Sequence, residues 1–86
     1  MKVLITDGNE RAALAVTRAL GRQEVEVIVG AESQRSLAGS SRYCRQSIAY
    51  PSPYQEPERF IATLMEAVQT HRVDALIPLS DIAMHV

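Results

Sequence analysis

The sequence predicts a small three-layer α/β domain, with a four-stranded parallel sheet in the order 3-2-1-4 between helices. Short apolar runs rich in β-branched residues alternate with stretches whose apolar residues recur at helical spacing. The run at residues 25–31 is almost continuously apolar, which is typical of a strand covered on both faces. Alternation of this kind favours right-handed crossovers between parallel strands.

Four strands and two complete helices are expected along the chain. The strands are placed at residues 2–6, 25–31, 46–50 and 73–80, and the helices at 9–20 and 57–70. Gly21 sits where the first helix would stop, and Pro57 suits the first position of the second. Residues 32–45 are Ser- and Arg-rich and are predicted as loop. Pro78 places the last strand at an edge, or its end outside the ladder.

Composition narrows the class of partner. The 86 residues carry a formal net charge of −1, with 47% hydrophobic and 5% aromatic residues, so a nucleic-acid partner is not expected. The N-terminus lacks the pattern of a signal peptide or a membrane span, so no membrane partner is expected. Cys44 is the single cysteine and cannot form an internal disulfide, which favours a cytoplasmic protein.

Polar turns follow two of the predicted strands. Ligands of open parallel sheets approach the carboxyl ends of the strands, where the strand order reverses. In the order 3-2-1-4 the first and last strands are neighbours, so Asp7-Gly8 and Ser80-Asp81 would flank the same crevice. Ser80 or Asp81 would also cap a third helix that starts in "SDIAMHV".

The first of these turns lies where a dinucleotide-binding enzyme places its phosphate loop. Such a loop needs G-x-G-x-x-G, but here only Gly8 is present, and Asp7 and Glu10 bring carboxylates to the place of a diphosphate. Asp7 and Glu10 instead have the spacing of a capping box, and we predict that Asp7 supports the helix N-terminus. In the alternative interpretation, N–H groups near Gly8 and Asn9 contact a small anion or a partner domain.

The remaining reactive residues form no complete catalytic set. Cys44 is expected to be a small buried side chain rather than a nucleophile. His71 and His85 lack further ligands at metal-binding spacing. Arg42 and Tyr43 lie in the Ser-rich loop and could reach an anion, but a solvated loop is the default interpretation. We therefore expect no catalysis by this chain alone.

Four segments together resemble a known domain. They are "KVLITDGNERAALAVTRALG", "SRYCRQSIAYPSP", "PERFIATLMEAV" and "VDALIPLSD". Their order is similar to that of the pre-ATP-grasp domain, a reduced Rossmann-like unit that begins ATP-grasp carboxylate–amine ligases such as those similar to the carbamoyl-phosphate synthase large chain, and that is also seen in biotin carboxylase. Its most specific pieces are Ser41-Arg42-Tyr43 before Tyr50-Pro51, and Pro78 before Ser80-Asp81. Ile82 departs from the family, which often has an acidic residue there.

The resemblance implies a chain that is the N-terminal part, residues 1–86, of a longer ligase. In that family ATP activates a carboxylate as an acyl phosphate, which an amine or ammonia attacks. The ATP-binding lysines and magnesium carboxylates come later in the family's sequence, so the resemblance implies no cofactor in this segment and ATP and magnesium for the parent. The partners would be the remaining ATP-grasp domains. The substrate-side residues would be Asp7, Gly8, Asn9, Ser80 and Asp81.

One further expectation concerns assembly. If the helix that starts after Leu79 continues in a longer chain, one face of the sheet lacks part of its cover here. Exposed apolar surface tends to find a partner, so we expect self-association as a symmetric dimer.

Two other interpretations stay open at this point. One is a self-contained Rossmann-like binding module without chemistry, and the other is a truncated NAD-dependent oxidoreductase or epimerase. The downstream sequence of the gene would distinguish them: a glycine-rich strand pair, a lysine and a Glu…Asn metal pair indicate a ligase, and Tyr-x-x-x-Lys indicates an oxidoreductase.

Overall fold

The computed structural model describes residues 1–33 and 35–79 and confirms the predicted fold class. All strand pairs are parallel, and the sheet order is β3-β2-β1-β4. The elements are β1 Lys2–Ile5, α1 Arg11–Arg22, β2 Glu26–Ala31, β3 Cys44–Ala49, α2 Pro57–Thr70 and β4 Ala75–Ile77. The predicted cap at Ser80 or Asp81 and the helix that would follow lie outside the described residues.

Alternation along β1 and β2 divides the core between the two faces of the sheet. Val3, Ile5, Val27 and Val29 form one apolar cluster with Ala13 of α1. The intervening side chains pack with α2 on the opposite face, in a cluster of Leu4, Ile28, Tyr50, Phe60, Leu64 and Ala67. Because successive strand residues point to opposite faces, continuous apolar runs here cover both sides of the sheet, which gives three layers.

The first helix ends later than the sequence predicts. Gly21 lies inside α1, whose last residue is Arg22, and the left-handed residue after the helix is Glu24, with φ 63°. A Cβ at Gly21 would lie 2.5 Å from the Cβ of Tyr43. Gly21 is therefore a packing position, where the loop before β3 approaches the helix closely, rather than a stop signal.

The third strand begins earlier than predicted. Cys44 and Arg45, which were assigned to the preceding loop, belong to β3, and Cys44 pairs with Val27. The register shifts between Val27 and Ile28, so this pairing is irregular and leaves little pattern in the sequence. The last strand is an edge strand of three residues that ends before Pro78, which confirms the interpretation of that proline.

Candidate functional site at the carboxyl edge of the sheet

The turn after β1 is held by bonds to distant parts of the chain. Asp7 has φ 59°, in the left-handed region. Its N–H donates to the Tyr50 hydroxyl at 2.9 Å, and the Gly8 N–H donates to the Gly30 carbonyl at 3.0 Å. The Gly8 carbonyl accepts from the Ala38 N–H at 2.7 Å. Two N–H groups that a phosphate loop would offer are thus already engaged.

Asp7 does not cap α1, and the prediction that it does is wrong. The residue at the N-cap is Glu10, whose side chain makes no capping bond. The Asp7 carboxylate accepts from the Thr6 hydroxyl at 2.6 Å, and the Asp7 carbonyl accepts from the Glu10 N–H at 2.9 Å. The left-handed turn at Asp7 precedes the helix, and α1 begins only at Arg11. Asp7 is therefore three residues before the N-cap, and not at the N-cap position that a capping box requires.

The crevice between β1 and β4 is closed by Thr6, which is fully buried. Its N–H donates to the Ile77 carbonyl at 3.2 Å, and its hydroxyl oxygen accepts from the Leu79 N–H at 3.1 Å. The strand order therefore places β1 beside β4, as predicted for the crevice. Of the expected site residues, Asp7, Gly8 and Asn9 lie together here, whereas Ser80 and Asp81 lie outside the described residues.

A cleft of about 100 Å³ opens beside this turn. Its charged lining consists of three carboxylates, those of Asp7, Glu10 and Glu32, and the side chains of Tyr50 and Tyr54 also line it. We call this site, together with Gly8 and Asn9, the acidic cleft. Within residues 1–33 and 35–79, no three or more His, Cys, Asp or Glu side chains are grouped to hold a metal ion. The carboxylates of the acidic cleft attract cationic or hydrogen-donating groups and repel phosphates.

Tyr50 has a role in this cleft that the sequence did not predict. Its ring is 5% exposed and meets Phe60 edge-on, with centroids 4.8 Å apart. Burial raises the pKa of Tyr50 to about 12. Its position directly before Pro51 was noted as a motif, but its partner, Asp7, lies 43 residues away, and no local pattern reports that contact.

Among the other reactive candidates, Cys44 is less buried than the sequence predicts. The Asn9 side-chain oxygen accepts from the Leu37 N–H at 3.2 Å, which ties the turn to the loop after β2. The Cys44 thiol is half-buried and donates to the Gln46 carbonyl at 3.2 Å, and burial raises its pKa. A thiol with a raised pKa is a poor nucleophile. His71 caps the end of α2 through its backbone N–H.

Comparisons with known proteins add no assignment. Neither family models, nor curated proteins, nor solved structures give a match to this chain. In the part of the chain that the structure describes, no helix combines the length and the apolar character needed to cross a membrane.

Proposed function

We propose that this chain is the pre-ATP-grasp-type N-terminal domain of an ATP-dependent carboxylate–amine ligase, and that its acidic cleft faces the amine substrate. The observation that carries the proposal is the convergence of three carboxylates on a cleft at the carboxyl edge of a Rossmann-like sheet. This is the edge at which open α/β sheets receive ligands. The resemblance to the ligase family supplies the reaction class.

The charge of the cleft favours an amine over a phosphate. A protonated amine gains attraction from Asp7, Glu10 and Glu32, whereas an ATP phosphate would be repelled by the same groups. The N–H groups of Asp7 and Gly8 are engaged within the chain and are not free to bind a phosphate, which also argues against ATP in this cleft. ATP and magnesium would therefore bind to the remaining domains of the ligase, and this chain would bind the ammonium form of the amine, which becomes the nucleophile once it loses a proton.

The test uses the full gene product that contains this chain. ADP release would be measured with a panel of carboxylates, each supplied with ammonia or a primary amine. Glu32→Gln should raise the KM for the amine by about tenfold, because an exposed charge interaction with substrate is lost, while kcat and the KM for ATP stay unchanged. Glu66→Gln, a change at an exposed residue of α2, is the matched control.

Two results would contradict the proposal. One is a gene product that forms no ADP with any pair of substrates. The other is a Glu32→Gln enzyme in which the KM for ATP rises and the KM for the amine does not. The 86-residue chain alone is expected to release no phosphate from ATP above a protein-free control, since its turn after β1 provides no lysine for the phosphates.

Self-association belongs to the same proposal. Leu76 of the edge strand β4 is 42% exposed, although its register partner Leu4 is fully buried beneath α2. The helix layer on this face thus leaves part of β4 uncovered. We expect a symmetric dimer of the 86-residue chain in sedimentation velocity at tens of micromolar, and a monomer at that concentration would contradict this expectation.

A further inference from the structure

A second polar cavity lies at the opposite, amino edge of the sheet. Arg18 and Arg22 project from the last two turns of α1, and Arg42 lies just before β3. These three arginines, here called the arginine cluster, line an open cavity of about 410 Å³ together with Ser40, Ser41 and Tyr43. This volume falls in the range of roughly 300–1,000 Å³ that is typical of small-molecule sites.

In the part of the chain that the structure describes, no carboxylate forms an ion pair with the arginine cluster. Among residues 1–33 and 35–79 the one ion pair within 4.0 Å joins Arg59 and Glu56 of the α2 N-terminus, far from this cavity. Glu24 and Glu26 line a neighbouring depression together with Arg42, but neither forms an ion pair with it. Arg18 and Arg22 are four residues apart on one helix, a spacing at which like charges destabilise the helix.

Tyr43 fixes the geometry of the cluster. Its side chain rests on α1 at Gly21, where a Cβ would lie 2.5–2.6 Å from three carbons of Tyr43. The Arg42 guanidinium lies 5.0 Å from the centre of the Tyr43 ring and donates to its hydroxyl at 3.0 Å. The guanidinium groups of Arg42 and Arg22 together lower the pKa of Tyr43. Arg42 and Arg22 therefore both lie beside the Tyr43 side chain, where Arg42 remains exposed to solvent.

Two features that are unfavourable for a helix thus occur at the same place. A glycine inside a helix and like charges at this spacing both reduce helix stability. Here Gly21 admits Tyr43, and the paired arginines face the guanidinium that Tyr43 holds. Departures from local preference of this kind are expected at functional sites.

We propose that the arginine cluster binds the phosphate group of a small molecule. Guanidinium groups match the oxygens of phosphate in paired hydrogen bonds, and three of them converge on one cavity. The Ser41 hydroxyl, which accepts from the Tyr43 N–H at 3.2 Å, keeps its own proton to donate to a phosphate oxygen. The site shares no residue with the acidic cleft, so it stands independently of the ligase proposal.

The test is a titration of the ¹⁵N-labelled chain, followed by NMR, with inorganic phosphate, pyrophosphate and AMP at constant ionic strength. We expect saturable shifts at residues 18, 22 and 40–43. Arg22→Gln and Arg42→Gln should each weaken binding by about tenfold, because each removes a charge-assisted hydrogen bond. Arg72→Gln, at the end of α2, is the charge-matched control and should bind as the parent does. Tighter binding of AMP than of phosphate identifies a phosphate ester, and equal binding identifies the free anion.

Gly21→Ala separates a built site from diffuse attraction. The variant keeps every charge and favours the helix, but its methyl group displaces Tyr43 and with it Arg42. Weaker phosphate binding by a variant whose spectrum remains dispersed supports the proposal. Three results would each overturn the proposal. They are chemical shifts that never saturate, phosphate binding that Gly21→Ala and Arg42→Gln leave unchanged, and binding of a polyglutamate peptide without binding of phosphate.

Discussion

The two edges of the sheet differ in how their polar groups are used. At the carboxyl edge, the N–H groups of Asp7 and Gly8 already have protein partners, and the charged residues that line the acidic cleft are carboxylates. At the amino edge, the arginine cluster has no ion-pair partner in the described part of the chain. The fold thus places a cleft lined by carboxylates at one edge and a cavity lined by arginines at the other, on a chain whose net charge is only −1.

The largest expected effect distinguishes the tyrosines of the two edges. Tyr50 is buried against Phe60 and holds the turn at Asp7, so Tyr50→Ala should lower the free energy of unfolding by about 3–5 kcal/mol. Tyr43 is half-buried at the surface of α1, and Tyr43→Ala should cost about 1 kcal/mol. Urea unfolding followed by circular dichroism measures both. If the two variants lose the same free energy of unfolding, the contrast between a tyrosine that holds the fold and a tyrosine at an accessible surface does not hold.

The next effect tests the polar closure between β1 and β4. Thr6→Val keeps the shape of the side chain but leaves the Leu79 N–H and the Asp7 carboxylate without the Thr6 hydroxyl, which should cost about 1–3 kcal/mol. Thr63→Val is the control, since the Thr63 hydroxyl bonds only to the Arg59 carbonyl within α2 and is exposed. Similar urea midpoints for the two variants would mean that the hydrogen bonds of the Thr6 hydroxyl contribute little to the free energy of unfolding.

Asp7 offers a smaller and more specific test of the turn. Because its φ is 59°, Asp7→Gly should be more stable than Asp7→Ala by about 1 kcal/mol, since alanine resists the left-handed region. In the Thr6→Val background, Asp7→Ala should cost less than in the parent, because the bond between the two side chains is already absent. A cost for Asp7→Ala that does not change between backgrounds would instead favour a role at the helix end.

The smallest effect is a titration, in which the tyrosine pKa is lowered at one edge and raised at the other. The pKa of Tyr43 is lowered by the neighbouring guanidinium groups of Arg42 and Arg22, and that of Tyr50 is raised to about 12 by burial. Phenolate absorbance should therefore lose its earliest step in Tyr43→Phe and its latest step in Tyr50→Phe. If Tyr43→Phe keeps the earliest step, or Tyr50→Phe keeps the latest one, the environments described for these two phenols are wrong.

The shift at Tyr50 also sets a dependence of stability on pH. Its pKa in the folded chain lies above the unfolded value of about 10, so the protonated phenol contributes its full stability below pH 10. That contribution is lost as the pH rises through about 12. Tyr50→Phe should be less sensitive to alkali over this interval, as measured by the urea midpoint at increasing pH.

Periodicity in the sequence was enough to predict the architecture, because it reports burial directly. The apolar run at residues 25–31 and the stripe from Phe60 to Val68 are local signals, and both elements lie where they were expected. Gly21, by contrast, carries the usual signal of a helix end but lies inside α1, because its contact with Tyr43 is tertiary. Local preference was overridden there by packing between distant segments.

The sites were less predictable than the fold for the same reason. Asp7, Gly8 and Asn9 were recognised from their place after a strand, but the role of Asp7 depends on Thr6 and Tyr50 rather than on helix spacing. Glu32 carries no motif and enters the acidic cleft only through the fold. Within the arginine cluster, Arg42 lies 20 or more positions from Arg18 and Arg22, so its proximity to α1 follows from the docking of Tyr43.

The central position of β1 has a consequence for the order of assembly during translation. β1 leaves the ribosome before β4, yet the Lys2 N–H donates to the Asp74 carboxylate, 72 residues later, beside the pairing of these two strands. The segment from β1 through β3 can pair as soon as it is made, while one side of β1 waits for β4. Loop closure carries an entropic cost that precedes the gain from pairing, so a contact this distant in sequence slows completion of the sheet. The nascent chain therefore exposes an unpaired strand edge until nearly all of these residues have been synthesised, which makes this interval its period of greatest vulnerability to misassociation.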